Sequence, residues 1–138
     1  MSEAAYTKPL PSPSAESQPF WDACRRHELR LQRCGACGRY WFPPGLVCPE
    51  CLSDDWEWAL TSGRGQVFSF VVMHRVYHKG FANDVPYPVA LIELEEGPHF
   101  LSNLVDCPLD EIRIGLPVEV VFDEVTPEHT LPKFRPRR

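Results

Sequence analysis

Cys34-Gly35-Ala36-Cys37 and Cys48-Pro49-Glu50-Cys51, with ten residues between Cys37 and Cys48, decide the fold of this chain. Two thiolates separated by two residues reach one ion only if the chain between them turns sharply. Gly35, Gly38 and Pro49 supply those turns. Two CxxC pairs at this spacing predict one tetrahedral metal bound by Cys34, Cys37, Cys48 and Cys51. Disulfides or free core thiols are the competing reading, and the N-terminus shows no secretory signal to favour oxidation. Iron would accept the same four sulfurs, but nothing else in the chain suggests redox work, so zinc is expected. Four cysteines fill the coordination shell and leave no position for water or substrate, so the ion is structural. Cys24 and Cys107 stand outside the pattern and read as small buried apolar residues.

Working outward, Ser17 is placed to cap a short helix starting near Gln18 and Pro19, with Phe20, Trp21 and Cys24 forming its apolar face. Arg25, Arg26, His27, Glu28 and Arg30 make the remainder polar, so the helix must pack on the zinc module or on a partner. Tyr40, Trp41 and Phe42 follow the first cysteine pair and can shield the ion. Upstream, Pro9, Pro11 and Pro13 lie among Ser, Ala and Glu, and residues 1–17 are expected to be disordered.

Beyond the cysteines the texture turns β-rich. Runs at 56–61, 66–76, 89–95, 100–105 and 118–124 read as five short strands and suggest a small Greek-key barrel. Gly63 with Gly65, Glu96-Gly97-Pro98, and Gly115 with Pro117 mark turns between them. In the second run both Phe68, Phe70, Val72 and Val67, Val71, Met73 are apolar, so something covers each face. The connection 77–88 is long and holds Tyr77, Phe81 and Tyr87 with His78 and Lys79, a composition that points to function. The tail gathers Lys133, Arg135, Arg137 and Arg138 around Phe134, and reads either as a phosphate contact or as a solvated end.

The 138 residues suit one domain, or a metal module attached to a small second domain. The formal charge of -5 argues against a general nucleic-acid binder. No run is long and apolar enough for a membrane span, and a cytoplasmic location is expected. No nucleophile pairs with a base: His74 and His78 fall at a strand end, and Glu93, Glu95, Glu96, Asp110 and Glu111 read as solvated carboxylates.

Pro19-Phe20-Trp21, then Leu31-Gln32-Arg33-Cys34 through Cys51, then Tyr87-Pro88-Val89-Ala90-Leu91-Ile92-Glu93-Leu94 with Glu96-Gly97, then Ile114-Gly115-Leu116-Pro117-Val118 carry a resemblance. The chain resembles the acyl-CoA-associated OB-fold proteins with an N-terminal rubredoxin-like zinc ribbon, from about residue 18 to 136. After the segment 1–17, which its composition marks as disordered, the resemblance implies a mainly β fold: a helix plus zinc ribbon at 18–55, and a five-stranded OB-fold barrel with a basic tail at 56–138. It also implies a non-catalytic subunit of a hetero-oligomer, beside a thiolase-like enzyme or a MaoC-like hydratase. Known associations of that kind bridge hydroxymethylglutaryl-CoA synthesis, or support a thiolase-like aldolase that removes a steroid side chain, with CoA along the barrel.

On this reading the ligand is an acyl-CoA. Arg75, Lys79, Lys133 and Arg135 are the candidate cations, and Tyr87 and Phe134 the candidate stacking surfaces. Phe20, Trp21, Arg25, Tyr40 and Trp41 are the candidate docking residues. A single-stranded nucleic-acid binder is the alternative from a different class, because OB-folds also use aromatics and cations that way.

Overall fold

The computed structural model describes residues 6–137, in which one helix is followed by eight strands. The helix α1 (Gln18–Arg25) has proline in its first turn and buries Phe20, Ala23 and Cys24. Ser17 precedes it but makes no side-chain cap; its hydroxyl meets Ser14 instead. Strands β1 (Arg30–Cys34), β2 (Tyr40–Trp41) and β3 (Trp56–Leu60) form a three-stranded antiparallel sheet in the order β2-β1-β3. This sheet and the cysteine loops are the ribbon.

The barrel comprises β4 (Arg64–Met73), β5 (Tyr87–Leu94), β6 (His99–Asn103), β7 (Pro117–Glu124) and β8 (Thr130–Pro136), hydrogen-bonded in the order β6-β5-β4-β7-β8. A parallel bridge between Leu104 and Phe134 joins the two ends and nearly closes the sheet. Strand β4 is the longest because it serves two partners, pairing β5 along its length and β7 through Arg64–Gln66. A bulge between Val67 and Ser69 curls it. Ahead of β4 the chain passes tightly over β7: Gly63 has φ +75°, and a Cβ there would lie 2.6 Å from Val120.

Two expectations are corrected here. The run at 56–61 is not a barrel strand; every residue of β3 pairs with β1, from Arg30 opposite Leu60 to Cys34 opposite Trp56. The fifth barrel strand is instead β8, built from what reads as a basic tail. Its Thr130, Pro132 and Phe134 alternate inward, so the positive charges occupy only the outward positions. The β5–β6 hairpin forms as expected at Glu96-Gly97-Pro98, with Gly97 at φ +113°.

One core joins helix, ribbon and barrel. Phe20 is 2 % exposed, and its ring lies 5.0 Å from Phe42 of the ribbon and 6.0 Å from Phe100 of the barrel. Leu29, Leu31, Ile92, Val118 and Phe134 complete the same cluster. The aromatic face of α1 is therefore consumed internally. Positions 1–5 of the segment expected to be disordered lie outside the described residues; within the rest of it, Lys8 forms an ion pair with Asp84. No helix among the described residues is long and apolar enough to cross a membrane.

Candidate metal centre and ligand cavity

The two cysteine loops repeat one geometry. The amide of Cys34 donates to the Arg39 carbonyl and that of Cys48 to the Ser53 carbonyl, while Gly38 and Leu52 donate back to the carbonyls of Cys34 and Cys48. Gly38 and Leu52 hold the same place after the second cysteine, at φ +81° and +64°. In each loop amides point at the first sulfur: Ala36 and Cys37 at Cys34 Sγ, both 3.3 Å, and Glu50 at Cys48 Sγ, 3.4 Å.

These loops bring all four sulfurs within 4.8 Å of one another. Cys34 Sγ lies 3.5 Å from Cys51 Sγ, and Cys37 Sγ lies 3.7 Å from Cys48 Sγ. A tetrahedron with metal–sulfur bonds of about 2.3 Å has edges of about 3.8 Å, so the donor set fits one zinc ion. The charges agree. The Cys37 amide, with Ala36 helping, holds the Cys34 thiol down to about 6. At Cys51 the Ser53 amide works to lower the thiol, but contact with Cys34, burial and the other sulfurs push it up to about 12. Four sulfurs this close cannot all ionise alone, and a divalent cation makes four thiolates compatible. Cys24 lies apart, with burial pushing its thiol up to about 12, as a core residue.

Trp41 and Trp56 meet edge to face beside the centre, their centroids 6.3 Å apart. The buried Gln32 binds Gly45 twice, donating from Nε2 at 2.7 Å and accepting at Oε1 at 2.8 Å, which pins the loop between the cysteine pairs. Sequence reasoning misses this clamp, because a polar residue one position from Leu31 in a short strand reads as solvent-facing.

The candidate ligand residues separate. Tyr87 and Lys133 line one cavity of about 400 Å³ at the barrel edge, together with Phe81, Leu131, Tyr6 and Lys8. The Tyr87 ring stacks on Phe81 at 5.2 Å, and Lys133 Nζ lies 2.7 Å from Asp123. Arg135 pairs with Glu119 at 3.0 Å, and Arg75 folds over Tyr77; neither residue lines this cavity, nor does Lys79. Phe134 is 0 % exposed and corrects the stacking expectation: a ring filling the barrel core cannot take a base.

The docking candidates need the same correction. Phe20 and Trp41 are buried, Trp21 and Tyr40 pack half-buried against the core, and Arg25 alone of the five is exposed. The exposed apolar side chains lie elsewhere. On the outer face of β4–β5–β6 the register sets Val71 opposite Val89 and Leu91 opposite Leu101, with Phe68 standing out at the bulge. The signal was legible as a strand apolar on both faces. His74 and His78 do not converge: His78 Nδ1 accepts from the Gly80 amide, and among the described residues the cysteines are the one grouping suited to a metal.

Residues 21–57 match the family described as ChsH2, rubredoxin-like zinc ribbon domain, and residues 58–123 match ChsH2, C-terminal OB-fold domain. The chain is 42 % identical over 129 residues to a probable enoyl-CoA hydratase alpha subunit of Thermomonospora curvata, spanning 94 % of this chain but 40 % of that protein's length. A DUF35 domain-containing scaffold protein of Methanothermobacter thermautotrophicus is 39 % identical over 105 residues, covering 75 % of this chain and 78 % of that one. Among solved structures, a chain of the Ltp2-ChsH2(DUF35) aldolase superposes with a TM-score of 0.83 at 42 % identity, over 91 % of this chain and 98 % of that chain.

Proposed function

Because the chain belongs to the DUF35 family, with a ChsH2-type zinc ribbon and OB-fold, we propose that it is a non-catalytic accessory subunit of an acyl-CoA enzyme complex. It binds the CoA portion of an acyl-CoA and docks on a thiolase-like enzyme or a MaoC-like hydratase. The similarity to the aldolase chain, over nearly all of both chains, carries this reading. The relatives' names divide between scaffold protein and hydratase alpha subunit, and both describe one component of a larger assembly.

The chain's own residues support three roles. The four-thiolate zinc stiffens the ribbon and offers no open position for chemistry. The outer face of β4–β5–β6, with Val71 and Leu101 exposed, is an apolar patch of the kind that marks protein contact, and we assign partner docking to it. The cavity between Tyr87 and Lys133 takes the CoA, with a neutral aromatic wall for the pantetheine arm and a cation at its edge. The nucleic-acid alternative loses ground, since the chain carries a formal charge of -5 and binding to a phosphate backbone draws its affinity from a basic surface.

An affinity capture from native cell extract, with mass spectrometry of the bound proteins, tests the proposal. A thiolase-like or hydratase-like protein should be recovered with the wild type and lost with the double variant Val71→Glu, Leu101→Glu. Recovery of RNA or ribosomal proteins without an acyl-CoA enzyme would overturn it.

A further inference from the structure

The cavity beside Tyr87 is not closed by the barrel alone. Part of its wall comes from the N-terminal segment, through Tyr6, Lys8 and Pro9. Three contacts seat that segment. Lys8 Nζ lies 2.7 Å from Asp84 Oδ2, and it sits 5.3 Å above the Phe81 ring. The third contact is backbone on backbone: the Thr7 carbonyl packs so closely on Gly80 that a Cβ at residue 80 would stand 2.4 Å from it. The segment fits because residue 80 has no side chain.

These contacts hold the wall weakly. The ion pair is partly solvated, with side chains 28 % and 40 % exposed, and solvent screening keeps such pairs near neutral in energy. The lining is mixed: Phe81, Tyr87, Leu104 and Leu131 are apolar, while Lys8, Asp84 and Lys133 bring charge. The Asp84 hydrogen bond and charge raise the Lys8 pKa above its ordinary value, so its ammonium stays charged. A lining that joins apolar side chains with two ammonium groups suits an amphiphilic anion, whose neutral part packs on the former and whose phosphate pairs with the latter.

Resting on the reading of this cavity as the CoA site, we propose that Tyr6–Pro9 is its movable wall and that Lys8 is a ligand cation, exchanging Asp84 for a phosphate oxygen of the bound acyl-CoA. Entry of the ligand breaks the Lys8–Asp84 pair, and the segment closes again over the ligand with Lys8 on phosphate. Only ion pairs and hydrogen bonds change hands.

Calorimetry with coenzyme A, and with pantetheine as the phosphate-free probe, tests this on the full zinc-loaded chain. Zinc content and circular dichroism confirm that each variant is folded. Lys8→Ala should weaken coenzyme A by about tenfold, the scale of a lost charge-assisted hydrogen bond, and leave pantetheine unchanged. Asp84→Asn removes the competing carboxylate and should tighten coenzyme A several-fold, which a purely structural latch would not do. Gly80→Ala removes no proposed ligand side chain but unseats Thr7 and with it Lys8, and should weaken binding as Lys8→Ala does, with no further loss in the double variant. Unchanged affinity in these variants, with loss in Tyr87→Ala and Lys133→Ala, would overturn the movable wall and leave the CoA site standing. Absence of binding to the wild type, or indifference to all five substitutions, would overturn both.

Discussion

Replacing Phe20 by alanine should loosen the ribbon and the barrel together. The ring is 2 % exposed and touches Trp21, Phe42 and Phe100, whose centroids lie 4.9, 5.0 and 6.0 Å away. A buried phenylalanine removes about 150–250 Å² from water, and at about 25 cal/mol per Å² its loss is worth about 4 kcal/mol or more. Measured truncations of this kind cost about 3–5 kcal/mol, against total stabilities of about 5–15 kcal/mol. With a urea dependence of about 2 kcal/mol per molar, the unfolding midpoint should fall by about 2 M. Two probes on one titration make the measurement: far-ultraviolet dichroism for the sheets, and a chromophoric chelator for zinc release. Both midpoints should shift together, because Phe42 belongs to the ribbon and Phe100 to the barrel. A barrel transition that moves while zinc release stays put would refute the shared core and make ribbon and barrel independent units.

Cys48→Ser should reduce bound zinc from one per chain to near zero by elemental analysis, because a neutral hydroxyl replaces one of four mutually close sulfurs. Gln32→Ala orphans the Gly45 amide and carbonyl, and should cost about 2–4 kcal/mol in urea unfolding. Leu52→Gly relieves a side chain held at φ +64° and should raise stability by up to about 1 kcal/mol, the left-handed strain less the entropy of an added glycine. Glu28 has its pKa lowered by its hydrogen bond to Arg30, so its contribution is present above the unfolded carboxylate range and lost as pH falls through the lowered value. Glu28→Gln should therefore flatten the loss of melting temperature between about pH 5 and pH 3, and an unchanged acid slope would count against the pair.

The zinc centre was readable from four residues because its geometry is local. A CxxC turn positions two sulfurs through a handful of backbone angles, and the second pair repeats the first down to the left-handed residue after it, Gly38 and then Leu52. The β5–β6 hairpin was readable for the same reason, its turn lying in Glu96-Gly97-Pro98. Strand membership was not. Trp56–Leu60 and Thr130–Pro136 each look like a strand or a tail on their own, and only long-range pairing sends the first to the ribbon and the second into the barrel.

The sequence by itself determined the metal site, four of the five barrel strands and the helix that precedes them, since each is written in spacing, alternation or a turn. Tertiary structure alone decided which aromatics remain available. Phe20, Trp41 and Phe134 are chemically fit for docking or stacking, but the closing of the barrel against helix and ribbon buries all three. It also decided that Tyr6 and Lys8, in a proline-rich stretch with no periodicity, meet Phe81, Asp84 and Tyr87. A residue's chemistry is local, but whether it faces solvent, ligand or core depends on partners tens of residues away, which the chain meets only once it has folded.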